Sequence, residues 1–142
     1  MGQTRTRFLL GSDTPGHTAG YHVVARGLQD AGMEVISLGH AEPAEVADAA
    51  LQEDVDFIGY RITDRDPIAL VTALRSAMKR RGISHIPIIV RGVVLKDAIP
   101  ALEELGVLGV FGPGSRIPDI AAFVFAHKAA ESPKTLPQRT CL

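Results

Sequence analysis

Five short apolar runs, each followed by a stretch with helical spacing, constrain this chain more than any other feature. The runs are RFLLGS (7–12), EVISLG (34–39), VDFIGY (55–60), IPIIVRG (86–92) and VLGVFG (107–112). None alternates cleanly between polar and apolar residues, as expected of strands covered on both faces of a parallel sheet. The segments between them carry helix punctuation. Gly32 stops the first helix, Pro43 sits in the first turn of the second, and Asp66-Pro67 is an N-cap followed by a proline at the first helical position. Val71, Leu74 and Met78 form an inward stripe on the third helix, which ends at Gly82 behind the basic Lys79–Arg81, a solvated helix end that favours the dipole. Asp97 can cap a short fourth helix, and Pro118 begins a fifth with Ile120, Phe123 and Val124 facing inward. Strict β-α alternation predicts one α/β domain, flavodoxin-like and doubly wound, with right-handed crossovers and strand order 2-1-3-4-5. The domain spans 7–130, after an N-terminal arm (1–6) and before a Pro-rich stretch (131–142) that reads as a disordered tail.

In such sheets ligands sit at the carboxyl ends of the strands, near the point where the strand order reverses. That directs attention to loops 12–19, 39–42, 61–66, 91–96 and 112–116. Composition narrows what they can do. A net charge of −1 argues against nucleic acid and membrane surfaces. No run approaches the roughly 18 apolar residues of a membrane span, and the apolar stretch in MGQTRTRFLL is too short for a signal peptide. Arg5 and Thr6 argue against myristoylation of Gly2. Cys141 is the only cysteine, which excludes an internal disulfide and a cysteine metal site and suits a reducing cytoplasm.

The stretch GSDTPGHTAG (11–20) joins the first strand to the first helix. His17 stands where the loop opens the helix, with Gly16 beside it, and is placed to act as a metal ligand or as an acid/base near neutrality. His22, one turn on, reads as a packed or surface side chain, and His40 as a capping or solvated one. His85 and His127 lie away from this end. Gly112-Pro113-Gly114-Ser115 precedes the last helix and could offer backbone N–H groups to an anion. No Walker loop, dinucleotide fingerprint or nucleophile elbow occurs.

The segments GHTAGYHVVARGLQDAGMEVISLG, AALQEDVDFIGYRIT, IIVRGVVLKDAIPALEELGV and VFGPGS run in register with the cobalamin-binding domain of B12-dependent acyl-CoA mutases. Over residues 7–127 the chain most resembles the separate small subunit of the methylmalonyl- and isobutyryl-CoA mutases. The resemblance implies a flavodoxin-like fold and an Asp-x-His-x-x-Gly motif whose histidine coordinates cobalt. Here that motif is Pro15-Gly16-His17-Thr18-Ala19-Gly20, so the histidine and glycine remain and the aspartate is a proline. Asp13 lies two residues earlier and is the candidate replacement for the carboxylate that fixes a ligating imidazole, a partner whose loss typically costs 10–100-fold in metal affinity.

Two further motifs depart. The family's Ser-x-Leu after the third strand lines the channel for the displaced nucleotide tail, and the matching residues are Arg61, Ile62 and Thr63. Its Gly-Gly after the fourth strand lets the tail pass close to the backbone; here it is Arg91-Gly92. Arginine brings bulk and charge where glycine brings neither. Only FGPGS (111–115) is intact. Arg61 and Arg91 are expected to face one pocket, and two guanidiniums that close need an anion between them. Asp13, Asp64 or Asp66 could supply it internally, or a ligand's carboxylate, sulfate or phosphate could.

Three functions are then open. In the first, the fold is repurposed: the tail channel is plugged, no cofactor is held, base-off cobalamin binding is lost, and the pocket takes a small anionic or carbonyl-bearing molecule. In an enzyme of that kind His17 is the acid/base and Arg61 and Arg91 orient substrate or stabilise an oxyanion. Asp13, Gly16, Thr18, Gly20, Thr63, Asp64, Gly92, Gly112, Gly114 and Ser115 line the rest of the site. In the alternative, the chain is the adenosylcobalamin-binding small subunit of a carbon-skeleton mutase, with His17 on cobalt and a large catalytic subunit as partner. The third is a non-catalytic scaffold. Whether the chain catalyses is open in this reading, and a homo-oligomer is compatible with all three.

Overall fold

The structure, a computed structural model, describes residues 5–16, 18–112 and 114–141, the side chains of Thr18 and of residues 130–141 excepted. Strands β1 (Arg7–Ser12), β2 (Glu34–His40), β3 (Phe57–Ile62), β4 (Ile88–Gly92) and β5 (Val107–Phe111) alternate with helices α1 (Thr18–Asp30), α2 (Pro43–Glu53), α3 (Pro67–Arg80), α4 (Ile99–Glu104) and α5 (Ile117–Cys141). All pairings are parallel, and the order is β2-β1-β3-β4-β5, as the alternation predicts. The chain leaves β1 for the edge strand β2, then returns across β1 to β3, so the reversal point lies between the ends of β1 and β3.

Each face of the sheet has its own core, which is why the strands show no polar alternation. On one face Leu9, Ile58, Tyr60, Ile62 and Val90 pack with Val46 and Ala47 of α2 and with Val71, Leu74 and Met78 of α3. The three members of the predicted α3 stripe are fully buried there. On the other face Phe8, Leu10, Phe57 and Ile89 pack with Val24 and Leu28 of α1 and Ile120 and Val124 of α5. Successive residues Phe8, Leu9 and Leu10 thus serve opposite cores, the period-two geometry of a strand.

Local signals place the helix starts. The Asp66 side chain accepts from Ile68 N at 3.0 Å, with Pro67 behind it. At α2 the Glu45 carboxylate accepts from Glu42 N at 2.8 Å ahead of Pro43. Asp97 does not cap α4: it lies within a short 3₁₀ turn, Lys96–Ala98, and Pro100 in the first turn pre-sets the helix instead. α5 is helical from Ile117 to Cys141 and is packed through Ile120 and Val124. β3 runs two residues past its expected end, because Arg61 pairs in register with Ser12 and Arg91 and Ile62 is fully buried. Among the described residues no helix is long and apolar enough to cross a membrane.

Gly92 ends β4 with φ +146°, and a Cβ there would fall on the Ile62 carbonyl oxygen. The strand ends at the site are therefore set by backbone packed on backbone, which no side chain can relieve. Gly92→Ala is expected to lose roughly 3 kcal/mol or more in urea unfolding, from strain and overpacking together. Gly112→Ala, where a Cβ would meet nothing within 4 Å, is expected to stay within about 0.5 kcal/mol of the parent.

Candidate functional site

The loops after β1, β2, β3 and β4 are tied to one another by backbone bonds at the carboxyl end of the sheet. Ala41 N donates to Ser12 O, Asp13 N to Arg61 O, and Val93 N to Ile62 O, at 3.1 to 3.2 Å. Tyr60, on the α2/α3 face, donates its hydroxyl to Ala41 O at 2.7 Å, and burial pushes that phenol above its ordinary pKa. Tyr21, in the first turn of α1, does the same work on the opposite face. Its oxygen is 2.7 Å from Leu10 O, 2.7 Å from Ser37 Oγ and 2.8 Å from Gly39 N, linking β1 to β2.

Asp13 is the buried charge of this region, at 2% exposure. Its Oδ1 accepts from Thr63 N at 3.1 Å and Thr63 Oγ1 at 3.3 Å; its Oδ2 accepts from Asp64 N at 2.9 Å and Arg65 N at 2.8 Å. Burial works against the ionised form, but these donors outweigh it and hold the carboxyl below its ordinary value of 3.8. Both Asp13 oxygens are turned onto the 63–65 backbone, because a buried carboxylate needs that many donors; His17, its expected partner, lies outside the described residues. Asp66, a second expected counter-ion, is spent on the α3 cap.

Arg61 and Arg91 are directly opposite one another in register on β3 and β4. Both project to the α1/α5 face, at the loop end of a crevice walled by Leu10, Val24, Leu28 and Ile120. Arg61 lies against α1: a Cβ on Gly20 would fall on its Nη2. The Nε of Arg91 is buried with no hydrogen-bond partner among the described residues. Burial first, then the neighbouring Arg61 charge, press the Arg91 pKa below its ordinary value.

Of the other expected site residues, His17 lies outside the described residues, as do Pro113 and the Thr18 side chain. Gly16 is exposed, and its N donates to Thr14 Oγ1 at 3.2 Å. Gly112 and Gly114 border open space, and Ser115 N closes a turn onto Gly112 O at 3.1 Å. A pocket of about 300 Å³ at the β1/β2 edge was not legible in the sequence. Tyr21, His22, Ser37 and His40 line it beside Thr14 and Gly16. Tyr21 and Ser37 carry no motif, and only the strand pairing places them beside His22 and His40. Among the described residues no group of three or more His, Cys, Asp or Glu side chains is arranged to hold a metal ion.

Replacing Asp13 by Asn leaves the three backbone N–H groups and the Thr63 hydroxyl without their charged acceptor. Urea unfolding at neutral pH is expected to show a loss of about 3 kcal/mol. Since the folded carboxyl titrates below 3.8, its stabilisation is present above pH 3.8 and is lost as pH falls through the lower folded value. The difference between parent and variant should therefore shrink on acidification.

Comparison with known proteins agrees with this architecture. A family model described as the B12 binding domain matches residues 9–121. The small subunit of 2-hydroxyisobutanoyl-CoA mutase from Aquincola tertiaricarbonis is 36% identical over 135 residues, covering 91% of this chain and 99% of that subunit. The pivalyl-CoA mutase small subunit of Xanthobacter autotrophicus is also 36% identical, over 78% of this chain and 75% of its own length. A methylmalonyl-CoA mutase large subunit from Streptomyces virginiae matches at 36% identity over 86% of this chain, which covers 16% of that protein. Among solved structures, a response regulator receiver domain from Methanospirillum hungatei superposes with a TM-score of 0.70 at 17% identity, covering 93% of this chain and 99% of that one, a likeness of fold alone. With the family model spanning both cores and every loop of the site, the chain belongs to the B12-binding domain family.

Proposed function

We propose that this chain is the cobalamin-binding small subunit of an acyl-CoA mutase whose catalytic subunit is a separate chain. The observation that carries the reading is the match to a mutase small subunit over 99% of its length, across all the loops that meet at the carboxyl end of the sheet. The broken motifs argue for a chain without cofactor; the relationship favours the alternative, a chain that carries one. Cobalamin would supply the carbon-skeleton chemistry, and this chain's part is to hold it, with His17 as the residue in the ligating position of the motif. The open loop face around Gly16, Gly112 and Gly114 suits a flat ligand. The crevice under Arg61 and Arg91 does not suit a nucleotide tail, having room, about 10 Å³, for little more than a single water. Gel filtration with hydroxocobalamin is the test: the parent chain should retain the cofactor, and His17→Ala should lose at least about tenfold in affinity. An unretained cofactor overturns the reading.

A second reading is favoured by the adjacency of Arg61 and Arg91 and by the Nε of Arg91, which is buried with no hydrogen-bond partner among the described residues. Two neighbouring guanidiniums repel unless an anion lies between them, and a small carboxylate or phosphate at the loop end would be that anion, matched to the planar fork of arginine. In that reading Arg61 and Arg91 orient the anion and His17 is the acid/base. Inorganic phosphate should then raise the unfolding temperature of the parent and leave that of Arg91→Ala unmoved; no rise in the parent counts against it.

A further inference from the structure

Three separate contacts close the space between α1, α5 and the sheet. The Phe8 ring lies across β3 at Gly59, where a Cβ would collide with its edge. Higher in the crevice, α1 and α5 approach so closely that a Cβ on Gly27 would fall on Ile117. At the loop end the Arg61 guanidinium rests on Gly20, with Arg91 beside it on the next strand. Each closure uses a glycine on one side and a side chain on the other. Gly20, the glycine kept from the cobalamin motif, here seats an arginine.

Resting on the cobalamin-binding reading above, we infer that this chain takes corrinoids with their nucleotide tail left outside the α1/α5 crevice, and that Arg61 and Arg91 set this selectivity. Three features support it. The remaining room is far below the volume of a benzimidazole nucleotide. The walls beneath the arginines are apolar side chains already packed in a core (Phe8, Leu10, Val24, Leu28), so admitting a tail would require that core to separate. The loop face above remains open, so the ring and the tail are treated differently by the same site. A ligand group that makes no contact adds no affinity. The tail should therefore add nothing to the affinity of this chain for a corrinoid.

The test compares hydroxocobalamin with cobinamide, which lacks the nucleotide tail, on the full chain by equilibrium binding followed in the visible spectrum. The expected result is that hydroxocobalamin binds no more than about threefold tighter than cobinamide. The Arg61→Ser/Arg91→Gly double variant, with its folding checked by circular dichroism, should gain at least about tenfold for hydroxocobalamin over cobinamide. A parent chain that binds hydroxocobalamin more than about tenfold tighter than cobinamide overturns the inference and leaves the cobalamin-binding reading standing. If the parent binds neither corrinoid, the cobalamin-binding reading itself fails and this inference with it. The parent comparison needs no variant, so a double variant that does not fold leaves the question decidable.

Discussion

A single buried carboxylate organises the functional end of the molecule. Asp13 follows β1 at the point where the strand order reverses, and its two oxygens collect four donors from the loop after β3. The charge could not be buried without those donors. The loop after β1 and the loop after β3 are therefore one rigid unit. Ser12 O and Arg61 O, which receive the neighbouring strands' N–H groups, extend it across the sheet towards β2. Arg65, whose backbone is held by Asp13, reaches the Glu42 carboxylate through Nη1 at 2.9 and 3.0 Å, and so brings the start of α2 to the same corner.

Around that rigid corner the two faces of the sheet behave differently. The α2/α3 face is a continuous aliphatic core with one buried phenol, and its role is support. The α1/α5 face carries aromatic rings low down and two arginines at the top, so polarity rises towards the loops. Placing guanidiniums side by side at the end of an apolar crevice is costly unless something compensates, through contact with a neighbour or with a ligand. The structure holds Arg61 against the first turn of α1. The result is a family scaffold whose loop face remains accessible while the space beneath it is occupied by the protein's own side chains.

Much of this was legible in the residues. The five apolar runs, the Asp66-Pro67 start and the Val71, Leu74, Met78 stripe describe elements whose causes are local, and the structure contains them. The pairing of Arg61 with Arg91 was also legible, because parallel strands of known order bring their carboxyl ends together. What Asp13 does was not legible. A carboxylate near a histidine suggests a proton partner, and nothing in the string shows that the 63–65 backbone, about fifty residues away, presents its N–H groups there. The role of Gly20 was hidden for the same reason: as a sequence letter it is a motif glycine, and in three dimensions it is the space that an arginine fills. The pocket at the β1/β2 edge depends on Tyr21 and Ser37 meeting across elements that carry no motif.

By itself the sequence determined the class of fold, the strand order, the family and the end of the sheet at which a ligand would sit. These follow from periodicity, helix caps and motif spacing, which are properties of residues near one another in the chain. Only the tertiary structure decided which side chains spend their hydrogen-bonding capacity on the scaffold and which keep it for a ligand, and whether the crevice beneath the loops is open. Burial and close approach between distant segments settle those points, as where Ile117 lies on Gly27 and Arg61 on Gly20.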